Sequence, residues 1–356
     1  MPDVGKLNLR ILWDGKTVHG VEVKSTRPPA YRLLPGRSPD ETVQLIPLLY
    51  GVCGKAQRAA ALAAVSSAQG RDMPQLEELE QGVRCEAMRE HLWRLLLDWP
   101  KLLGFPLLEA QFMRWHAALN ALATGQGDTE NFVAELHQVL LGMTAEEWRK
   151  MDTQAKLLEC LTAGQGLLAP IIRALEYREI HLDFAGEQAK CDFLPRWTAS
   201  DVSRNLAARL GGEFAALPQL EGKPLETGAL ARTRHMPLLR DALHRAPTGL
   251  LARLIARLVD LLDSVSAQGR IGHDGGGLSV VQTARGMLLH HVRIESGRVA
   301  EYWIVAPTEW NFHPQGALTG LIGLREGNAA RLTETAMLFV LSLDPCVEFE
   351  IEVIHA

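Results

Sequence analysis

Length, composition and charge limit the classes of protein that this chain can represent. Its 356 residues are enough for one large domain with a deep core, or for two ordinary domains. Hydrophobic residues make up 47% of the chain and charged residues 22%, as in soluble globular proteins, and the formal net charge is -5. Such a chain lacks the electrostatic footprint of proteins that bind nucleic acid or anionic membranes, so nucleic acid is not expected as a partner.

The N-terminal segment predicts a β-hairpin. Residues 1–25 alternate apolar and polar side chains around a turn at Asp14 and Gly15, unlike the continuous apolar run of a signal segment. No stretch of the chain is apolar for long enough to cross a bilayer, so we expect no membrane span. A proline-rich connection from Pro28 to Pro39 leads out of the hairpin.

The middle of the chain, residues 40–265, predicts a helical core. Apolar residues recur there at three- and four-residue spacing, as in LLARLIARLVDLLDSV. Glycine and proline interrupt this pattern repeatedly, which indicates a bundle of moderate-length helices joined by loops. No internal repeat is visible in the sequence.

Residues 275–356 predict a β segment, a further helix and a terminal SLDPC motif. The β segment consists of alternating or continuous apolar runs, with turns at Gly286 and at Ser296–Gly297. The helix is predicted to end near Phe339. We therefore treat residues 1–356 as a single domain of the α+β class that is predominantly α.

The cysteines are few, odd in number and widely scattered. This pattern makes a disulfide framework unexpected and favours a reducing cytoplasm. No CxxC pair occurs, so a zinc site or a thioredoxin-like redox pair has no local support. Three of the cysteines, Cys85, Cys160 and Cys191, have no pattern around them and are expected to be small buried hydrophobic residues. The other two are Cys53 and Cys346.

Two local patterns do not indicate a function. The run GVCGKAQ lacks the first glycine of a phosphate loop, because Leu49 occupies that position, and Ala56 replaces the required Ser or Thr. His290 and His291 are neighbours on a predicted strand, so their side chains point to opposite faces and cannot readily bind one metal ion. We expect one of them to be buried and hydrogen-bonded and the other to be exposed.

Three segments of the C-terminal third, TARGMLLHH, IVAPTEWN and SLDPC, follow a known pattern in order. They resemble the A-R-G-x-L-x-H segment, the V-P-T-x-W-N strand end and the D-P-C-x-x-C motif of nickel-iron hydrogenase large subunits. The residues that match are Arg285, Gly286, His290, Pro307, Thr308, Trp310, Asn311, Asp344, Pro345 and Cys346.

The N-terminal third supports the same resemblance with GRSPDETVQLIPLLYGVCGKAQRAAALAA. In the family, a GR-x-P-x-[DE] segment leads into R-I-C-G-V-C and a helix, and Gly51, Val52 and Cys53 match that motif. The helical middle contains no motif that aligns. The resemblance implies the large-subunit fold, with a helical core, small peripheral β-sheets and both termini near the site.

Departures from the family pattern concern the metal ligands. In the enzymes, four thiolates hold nickel and an iron that carries carbon monoxide and cyanide. By the resemblance, Cys53 keeps a bridging position and Cys346 a terminal one, whereas Tyr50 and Phe349 replace the other two cysteines. Ala30 stands where the family has its proton-transfer glutamate. We therefore expect no nickel, no stable binuclear centre and no hydrogenase activity.

The pattern is similar to the large-subunit-like accessory proteins of hydrogenase gene clusters, the HupK/HoxV type. This implies a non-catalytic scaffold that transiently binds the Fe(CO)(CN)2 group for assembly or for transfer to the hydrogenase large subunit. Cys53 and Cys346 would ligate the iron, since thiolate sulfur favours soft metal ions. Arg285 would lower the thiol pKa and contact cyanide, and Asp344 would orient Arg285 or the loop around Cys346. A salt bridge for Arg285 and a loop cap for Asp344 are the alternatives.

The resemblance also implies the partners, a hydrogenase maturation chaperone and the hydrogenase large-subunit precursor. The chain ends ten residues after Cys346, so we expect no C-terminal extension of the kind that is cleaved from immature large subunits. Two other hypotheses stay open. One is a divergent hydrogenase, which requires nickel, and the other is a metal-free decoy that binds chaperones through a large-subunit-like surface.

Overall fold

The protein is mainly helical, with small sheets, and this confirms the predicted α+β class. Residues 1–4 of the predicted hairpin and residues 189, 247 and 264–265 of the predicted helical core lie outside the described residues. The computed structural model describes residues 5–188, 190–246, 248–263 and 269–356.

Helices occupy most of the chain between Pro39 and Asp263, and two more follow the four-stranded sheet near the end of the chain. The first of them begins with a capping box, in which Ser38 and Glu41 each accept the other's backbone N–H. The α-helices are α1 (Pro39–Leu49), α2 (Gly54–Ala68), α3 (Leu76–Trp93), α4 (Trp99–Leu103), α5 (Glu109–Leu122), α6 (Thr129–Leu136), α7 (Ala145–Arg149), α8 (Gln154–Gly164), α9 (Ala169–Ile180), α10 (Ala199–Leu206), α11 (Gly212–Ala216), α12 (Ala229–Thr233), α13 (Pro237–Arg245), α14 (Leu250–Asp263), α15 (Pro307–Asn311) and α16 (Ala329–Leu343).

The strands form two larger sheets and two short pairs. The larger sheets have the strand orders β11-β1-β2 and β6-β7-β8-β9, and the short pairs are β10-β3 and β4-β5. The strands are β1 (Leu7–Trp13), β2 (Val18–Ser25), β3 (Asp183–Phe184), β4 (Asp192–Phe193), β5 (Leu225–Glu226), β6 (Ile271–His273), β7 (Leu278–Thr283), β8 (Gly286–Glu295), β9 (Arg298–Val305), β10 (Leu324–Arg325) and β11 (Phe349–His355).

The two ends of the chain meet in the three-stranded sheet. β1 pairs antiparallel with β2, where the sequence predicted a hairpin, and parallel with β11. Alternate residues of β1 are buried, because successive side chains of a strand point to opposite faces. The parallel register places Leu7 opposite Phe349, so the segment that carries Cys346 is tied to the first strand of the chain.

The four-stranded sheet is antiparallel throughout and carries the alanine-rich helix α2 against β7 and β8. Every residue of β7 is buried. Small alanine side chains, including Ala60 and Ala64, are fully buried on α2 and let the helix approach the sheet closely. This packing positions the start of α2 beside the turn between β7 and β8.

Helix α14 lies inside the largest apolar cluster. Apart from Arg253, its residues 250–262 are buried, which means that the helix is enclosed rather than lying on the surface. The enclosure carries two charged residues, Arg257 and Asp260, into the interior. Buried charges require partners, and the partners of Arg257 belong to the site described below.

Two element boundaries differ from their predicted positions. α16 continues past Phe339 to Leu343, because the apolar run remains on the buried face until Asp344 and Pro345 end the helix. The β segment begins with a short strand at Ile271, ahead of the predicted boundary at residue 275. Within the described residues, no helix combines the length and apolar character that crossing a membrane requires.

Candidate metal-binding site

The first candidate ligand, Cys53, lies at the start of a helix. Gly51–Cys53 forms a single 3-10 turn directly before α2. A helix N-terminus favours a thiolate, because its free N–H groups carry partial positive charge. Here the carboxylate of Glu86, on α3, accepts the N–H groups of Lys55 at 2.8 Å and Ala56 at 2.9 Å. Glu86 thereby takes up much of the charge that the helix end would offer to Cys53.

The second candidate ligand, Cys346, follows α16. Asp344 ends that helix in the left-handed conformation, with φ of 61°, and Pro345 cannot continue it. Cys346 is partly buried, and its Sγ lies 2.9 Å from Oγ1 of Thr308 on α15. The Asp-Pro-Cys order thus turns the chain out of the helix and brings the thiol against α15.

Arg285 reaches the site from the tight turn between β7 and β8. Oγ1 of Thr283 accepts the N–H groups of Arg285 and Gly286, both at 3.2 Å. Gly286 has φ of 134°, and a Cβ there would lie 2.3 Å from Cγ2 of Thr227, so the position requires glycine. The turn directs Arg285 inward, where its side chain is 7% exposed.

The structure brings Cys53, Cys346, Arg285 and Asp344 into one site. Nη2 of Arg285 donates to Oε2 of Glu90 at 2.7 Å, and its Nε lies 3.5 Å from Oδ1 of Asp344. Burial by itself lowers the pKa of Arg285, but Asp344, Glu90 and the two thiols act in the opposite direction, and the net pKa is raised. Both cysteines are therefore within electrostatic range of the same guanidinium.

Asp344 is surrounded by three arginines. Its Oδ1 accepts from Nε of Arg94 at 2.6 Å, and its Oδ2 accepts from Nη1 of Arg257 at 2.6 Å. Burial raises the pKa of Asp344, but Arg257, Arg285 and Arg94 together hold it well below its usual range. Arg94 also donates to the carbonyl of Pro345 at 2.7 Å, which fixes the residue before the second cysteine. We call Asp344 with these three arginines the arginine clamp.

Burial determines the pKa of the Cys53 thiol. It raises this pKa to about 12, with further increases from Cys346 and Glu86 and smaller decreases from Arg285 and Gln57. Arg285 does lower the pKa of the Cys53 thiol, as expected, but the net pKa is raised. The expectation was wrong on the net pKa because it neglected the desolvation of the buried thiol. Binding of a metal ion would have to displace the thiol proton.

A chain of neutral hydrogen bonds ends on Cys53. Nε2 of Gln57 donates to Sγ of Cys53 at 3.6 Å, and Oε1 of Gln57 accepts from Nε2 of His290 at 2.9 Å. We therefore assign the proton of His290 to Nε2, which leaves Nδ1 to accept from the hydroxyl of Tyr302 at 2.8 Å. Burial lowers the pKa of His290 to about 3, so its ring is neutral. We call Tyr302, His290 and Gln57 the neutral relay.

A further arginine enters the site from the connection after β2. Nη1 of Arg27 lies 3.3 Å from Oε1 of Glu309, and its Cζ lies 5.8 Å from the centroid of the Tyr50 ring. Burial raises the pKa of Glu309, although Arg27 lowers it, and burial likewise raises the pKa of Tyr50. The connection after β2 thus contributes a cation to the site.

Of the other predicted positions, Tyr50 lies beside Arg27 at the site, whereas Phe349 and the remaining cysteines pack with apolar residues. Phe349 packs against the largest apolar cluster, whereas Tyr50 packs against a second cluster beside α2. Cys85 is buried in the largest cluster as expected, but Cys160 and Cys191 are only half-buried at its edge. All five cysteines are unpaired. Within the ranges that the structure describes, no group of three or more His, Cys, Asp or Glu residues is arranged to hold a metal ion.

Known relatives align with nearly the whole chain. The hydrogenase expression/formation protein HupK of Azotobacter vinelandii is 30% identical, and HupV of Azotobacter chroococcum mcd 1 is 31% identical. Each alignment covers 99% of both chains. The chain belongs to the family of hydrogenase expression/formation proteins. HoxV of Cupriavidus necator, another hydrogenase expression/formation protein, is 28% identical over 91% of this chain and 90% of its own.

The site of this expression/formation protein lies partly within a shared hydrogenase region. Residues 228–347 match the family model of nickel-dependent hydrogenases, and this range includes Arg285, Asp344 and Cys346 but excludes Cys53. Among solved structures, the as-isolated oxidised Ni-Fe-Se hydrogenase of D. vulgaris Hildenborough superimposes with a TM-score of 0.60 over 95% of both chains. Their identity is 15%, so this likeness shows the fold alone. The family and fold resemblance found in the sequence is confirmed.

Several residues of the site were missed by the sequence analysis. Thr308 was noted only as a match to the hydrogenase pattern. His290 was noted as a match and as one of two neighbouring histidines, but not as a residue linked to Cys53. Nothing pointed to Gln57 or to Glu309. The helices contributed Glu86, Glu90, Arg94 and Arg257, for which the only local signal was a charged residue within an apolar helical pattern. That signal is clearest in α14, where Arg253, Arg257 and Asp260 interrupt an apolar helical pattern.

Proposed function

We propose that this protein takes part in hydrogenase maturation as a non-catalytic scaffold, which binds the Fe(CO)(CN)2 group transiently and passes it to the hydrogenase large subunit. One observation carries the proposal: Cys53 and Cys346, from opposite ends of the chain, converge beside Arg285. The relatives' names, as hydrogenase expression/formation proteins, support the broader role in maturation.

The two thiols suit an iron atom that already carries ligands of its own. Cysteine thiolates are soft ligands and are favoured by iron with carbonyl and cyanide ligands. Such an iron has three positions filled by its diatomic ligands, so two protein thiolates come close to completing its coordination. Two thiolates hold the iron less firmly than four would, which agrees with transfer to another protein.

Within this proposal, Arg285 contacts cyanide and Asp344 positions Arg285. A guanidinium presents several N–H donors in fixed directions, and the nitrogen of a metal-bound cyanide is an anionic acceptor. Asp344 lies 3.5 Å from Nε of Arg285 and is itself held by Arg94 and Arg257. The arginine clamp therefore sets the position of Arg285 and of the loop that carries Cys346.

The absence of hydrogenase activity is part of the proposal. By the family resemblance, Tyr50 and Phe349 replace two thiolates that nickel would require, and Ala30 replaces the proton-transfer glutamate. The proposed partners are a maturation chaperone, which supplies the iron group, and the hydrogenase large-subunit precursor, which accepts it. The proposed location is the cytoplasm, a reducing compartment in which unpaired cysteines persist.

The test is infrared spectroscopy of protein purified anaerobically together with its maturation partners. We expect carbonyl and cyanide stretching bands, iron without nickel in metal analysis, and loss of the bands in Cys53→Ser and Cys346→Ser variants. Cys85→Ser provides the matched control, because Cys85 is a buried cysteine in the apolar core.

Three results would overturn the proposal. A folded complex without carbonyl and cyanide bands excludes the iron group as cargo. Nickel in stoichiometric amount would instead identify a divergent hydrogenase. Full support of hydrogenase maturation by the Cys53→Ser and Cys346→Ser variants would identify a metal-free protein that acts through its surface.

A further inference from the structure

Arg27 lies between the two cysteine segments. On one side, its guanidinium lies over the ring of Tyr50, three residues before Cys53. On the other side, its Nη1 pairs with Glu309, the residue after the Thr308 whose hydroxyl touches the Cys346 thiol. A single cation thus spans the gap between the segments that carry both candidate ligands.

The side chain of Arg27 is partly shielded from solvent, with 15% of its surface exposed. Burial by itself lowers its pKa, but Cys346, Glu309, Tyr50 and Cys53 raise it. The thiols therefore interact electrostatically with Arg27 as they do with Arg285, although the two arginines come from distant parts of the chain. This supports the placement that the contacts with Tyr50 and Glu309 define.

The arginines of the site differ in how far their donors are already used. Arg94 donates to Asp344, Asp98 and the carbonyl of Pro345, and Arg257 donates to Asp344 and the carbonyl of Ser342.

For the guanidinium of Arg27, the bond to Glu309 is the one hydrogen bond that the described residues provide. A guanidinium has five N–H groups, so Arg27 retains donors for an incoming anion. Arg94 and Arg257 have fewer donors left.

We propose that Arg27 is a second anion-contacting residue of the site, which donates hydrogen bonds to the anionic ligands of the bound metal group. The inference rests on the proposed function and extends it. Iron(II) with two cyanides carries no net charge, so two thiolate ligands would leave the loaded site negative. A buried negative charge requires a nearby cation, and Arg27 supplies one that the arginine clamp does not already use.

Glu309 and Tyr50 act as positioning residues in this arrangement. Glu309 holds one edge of the guanidinium, and the Tyr50 ring supports its face through a cation–π contact. The other edge remains available for the cargo. By the family resemblance, Tyr50 stands where a nickel-binding thiolate would be. In this arrangement its ring also supports the guanidinium of Arg27.

The experiment compares loaded wild-type protein with Arg27→Gln, Arg27→Lys and the control Arg32→Gln. Arg32 is exposed and lies on the same connection, so its variant reports any general effect of losing one positive charge. Infrared spectra give the carbonyl and cyanide bands, and an iron chelator added to the loaded protein gives the rate of iron loss. Thermal unfolding of each variant shows whether it is folded.

For Arg27→Gln we expect shifted cyanide bands, a smaller change in the carbonyl band and iron loss that is faster by about tenfold, since a hydrogen bond to a charged acceptor is removed. Arg27→Lys should retain the iron better than Arg27→Gln and still shift the cyanide bands, because it keeps the charge without the planar donors. If Arg27→Gln is unfolded, Arg27→Lys decides.

If the infrared bands and the rates of iron loss in the Arg27 variants equal those of Arg32→Gln, the inference is overturned. The proposed function would remain intact. Absence of the bands from the wild-type protein would instead overturn the proposed function. The two failures are therefore distinguishable in the same set of samples.

Discussion

Cys53 and Cys346 are held in the site by different kinds of interaction. The loop before Cys346 is fixed by charge, through the arginine clamp around Asp344. Cys53 is contacted by the neutral relay, in which Tyr302, His290 and Gln57 donate in sequence toward its sulfur. One ligand thus depends on buried ion pairs, and the other on buried dipoles.

The difference predicts unequal responses to mutation. Removing one partner of a buried ion pair leaves uncompensated charge and costs several kcal/mol, whereas a lost neutral hydrogen bond costs about 1 kcal/mol. Changes to the clamp should therefore reduce the stability of the whole fold. Changes to the relay should act mainly on the thiol and on the response to pH.

The largest effect is expected for Asp344→Asn. Neutralising this carboxylate leaves Arg94, Arg257 and Arg285 without their shared buried partner. We expect the free energy of unfolding to fall by about 3–5 kcal/mol, measured by denaturant titration.

Asp98→Asn provides the matched control for that variant. Asp98 also pairs with Arg94, but its side chain is 26% exposed, so water can compensate the loss. The expected decrease is below about 1 kcal/mol. If Asp344→Asn and Asp98→Asn lower the free energy of unfolding equally, the arginine clamp contributes no more stability than a surface ion pair.

The second largest loss of stability is expected for Gly286→Ala, in the turn that carries Arg285. Gly286→Ala introduces a Cβ at 2.3 Å from Cγ2 of Thr227, in a backbone with φ of 134°. Thr227 cannot move freely, because its N–H donates to Asn311 and its hydroxyl accepts the N–H of Met287. We expect a loss of about 2–3 kcal/mol in thermal or chemical unfolding.

Gly297→Ala separates the steric effect at Gly286 from backbone strain. Gly297 also has positive φ, 73°, but an added Cβ there meets nothing within 4 Å. Its expected cost is about 1 kcal/mol, which is the conformational penalty alone. A cost at Gly286 no larger than this would mean that Thr227 moves aside.

The sequence was a good guide where local pattern determines structure. Alternation predicted the first hairpin, three- and four-residue spacing predicted the helical middle, and the hydrogenase-like segments identified Cys53, Cys346, Arg285 and Asp344 as candidates. The pairing of β1 with β11 was beyond local pattern, because it joins residues from the two ends of the chain. Only the family resemblance indicated that the termini would lie near each other.

The rest of the site could not be predicted because it depends on which helical charges point inward. Arg94 lies in a π-helical stretch between α3 and α4, where the helical periodicity changes, and that change alters the face on which its side chain lies. Glu86 and Glu90 lie one turn apart on α3, yet one caps α2 and the other pairs with Arg285. These roles follow from the neighbouring elements.

The neutral relay should make the fold sensitive to acid. His290 has a folded pKa of about 3 against an ordinary value of 6.5. Between these values the unfolded chain binds a proton that the folded protein does not, so this stabilising contribution is present above pH 6.5 and is lost as pH falls.

The measurement compares unfolding at pH 7 and pH 5. We expect His290→Gln to lose less stability than wild type over this interval, by about 2 kcal/mol. His235→Gln, at an exposed histidine, should follow the wild-type curve. A wild-type pH dependence retained in His290→Gln would assign the acid sensitivity to other groups.

The smallest effect on stability is expected for Gln57→Leu, and it examines the last link of the relay. The variant loses the bond from Nε2 to Cys53 and leaves Nε2 of His290 without its acceptor, at a cost of about 1–2 kcal/mol. A thiolate without this donor is less stable, so alkylation of Cys53 should slow by about threefold in site-resolved mass spectrometry. Cys85 in the same sample and the exposed-site variant Gln44→Leu should show no change. An unchanged alkylation rate at Cys53 would mean that Gln57 only packs against the sulfur. The arginine clamp and the neutral relay would then differ in how they position the two thiols, but the relay would not affect the reactivity of Cys53.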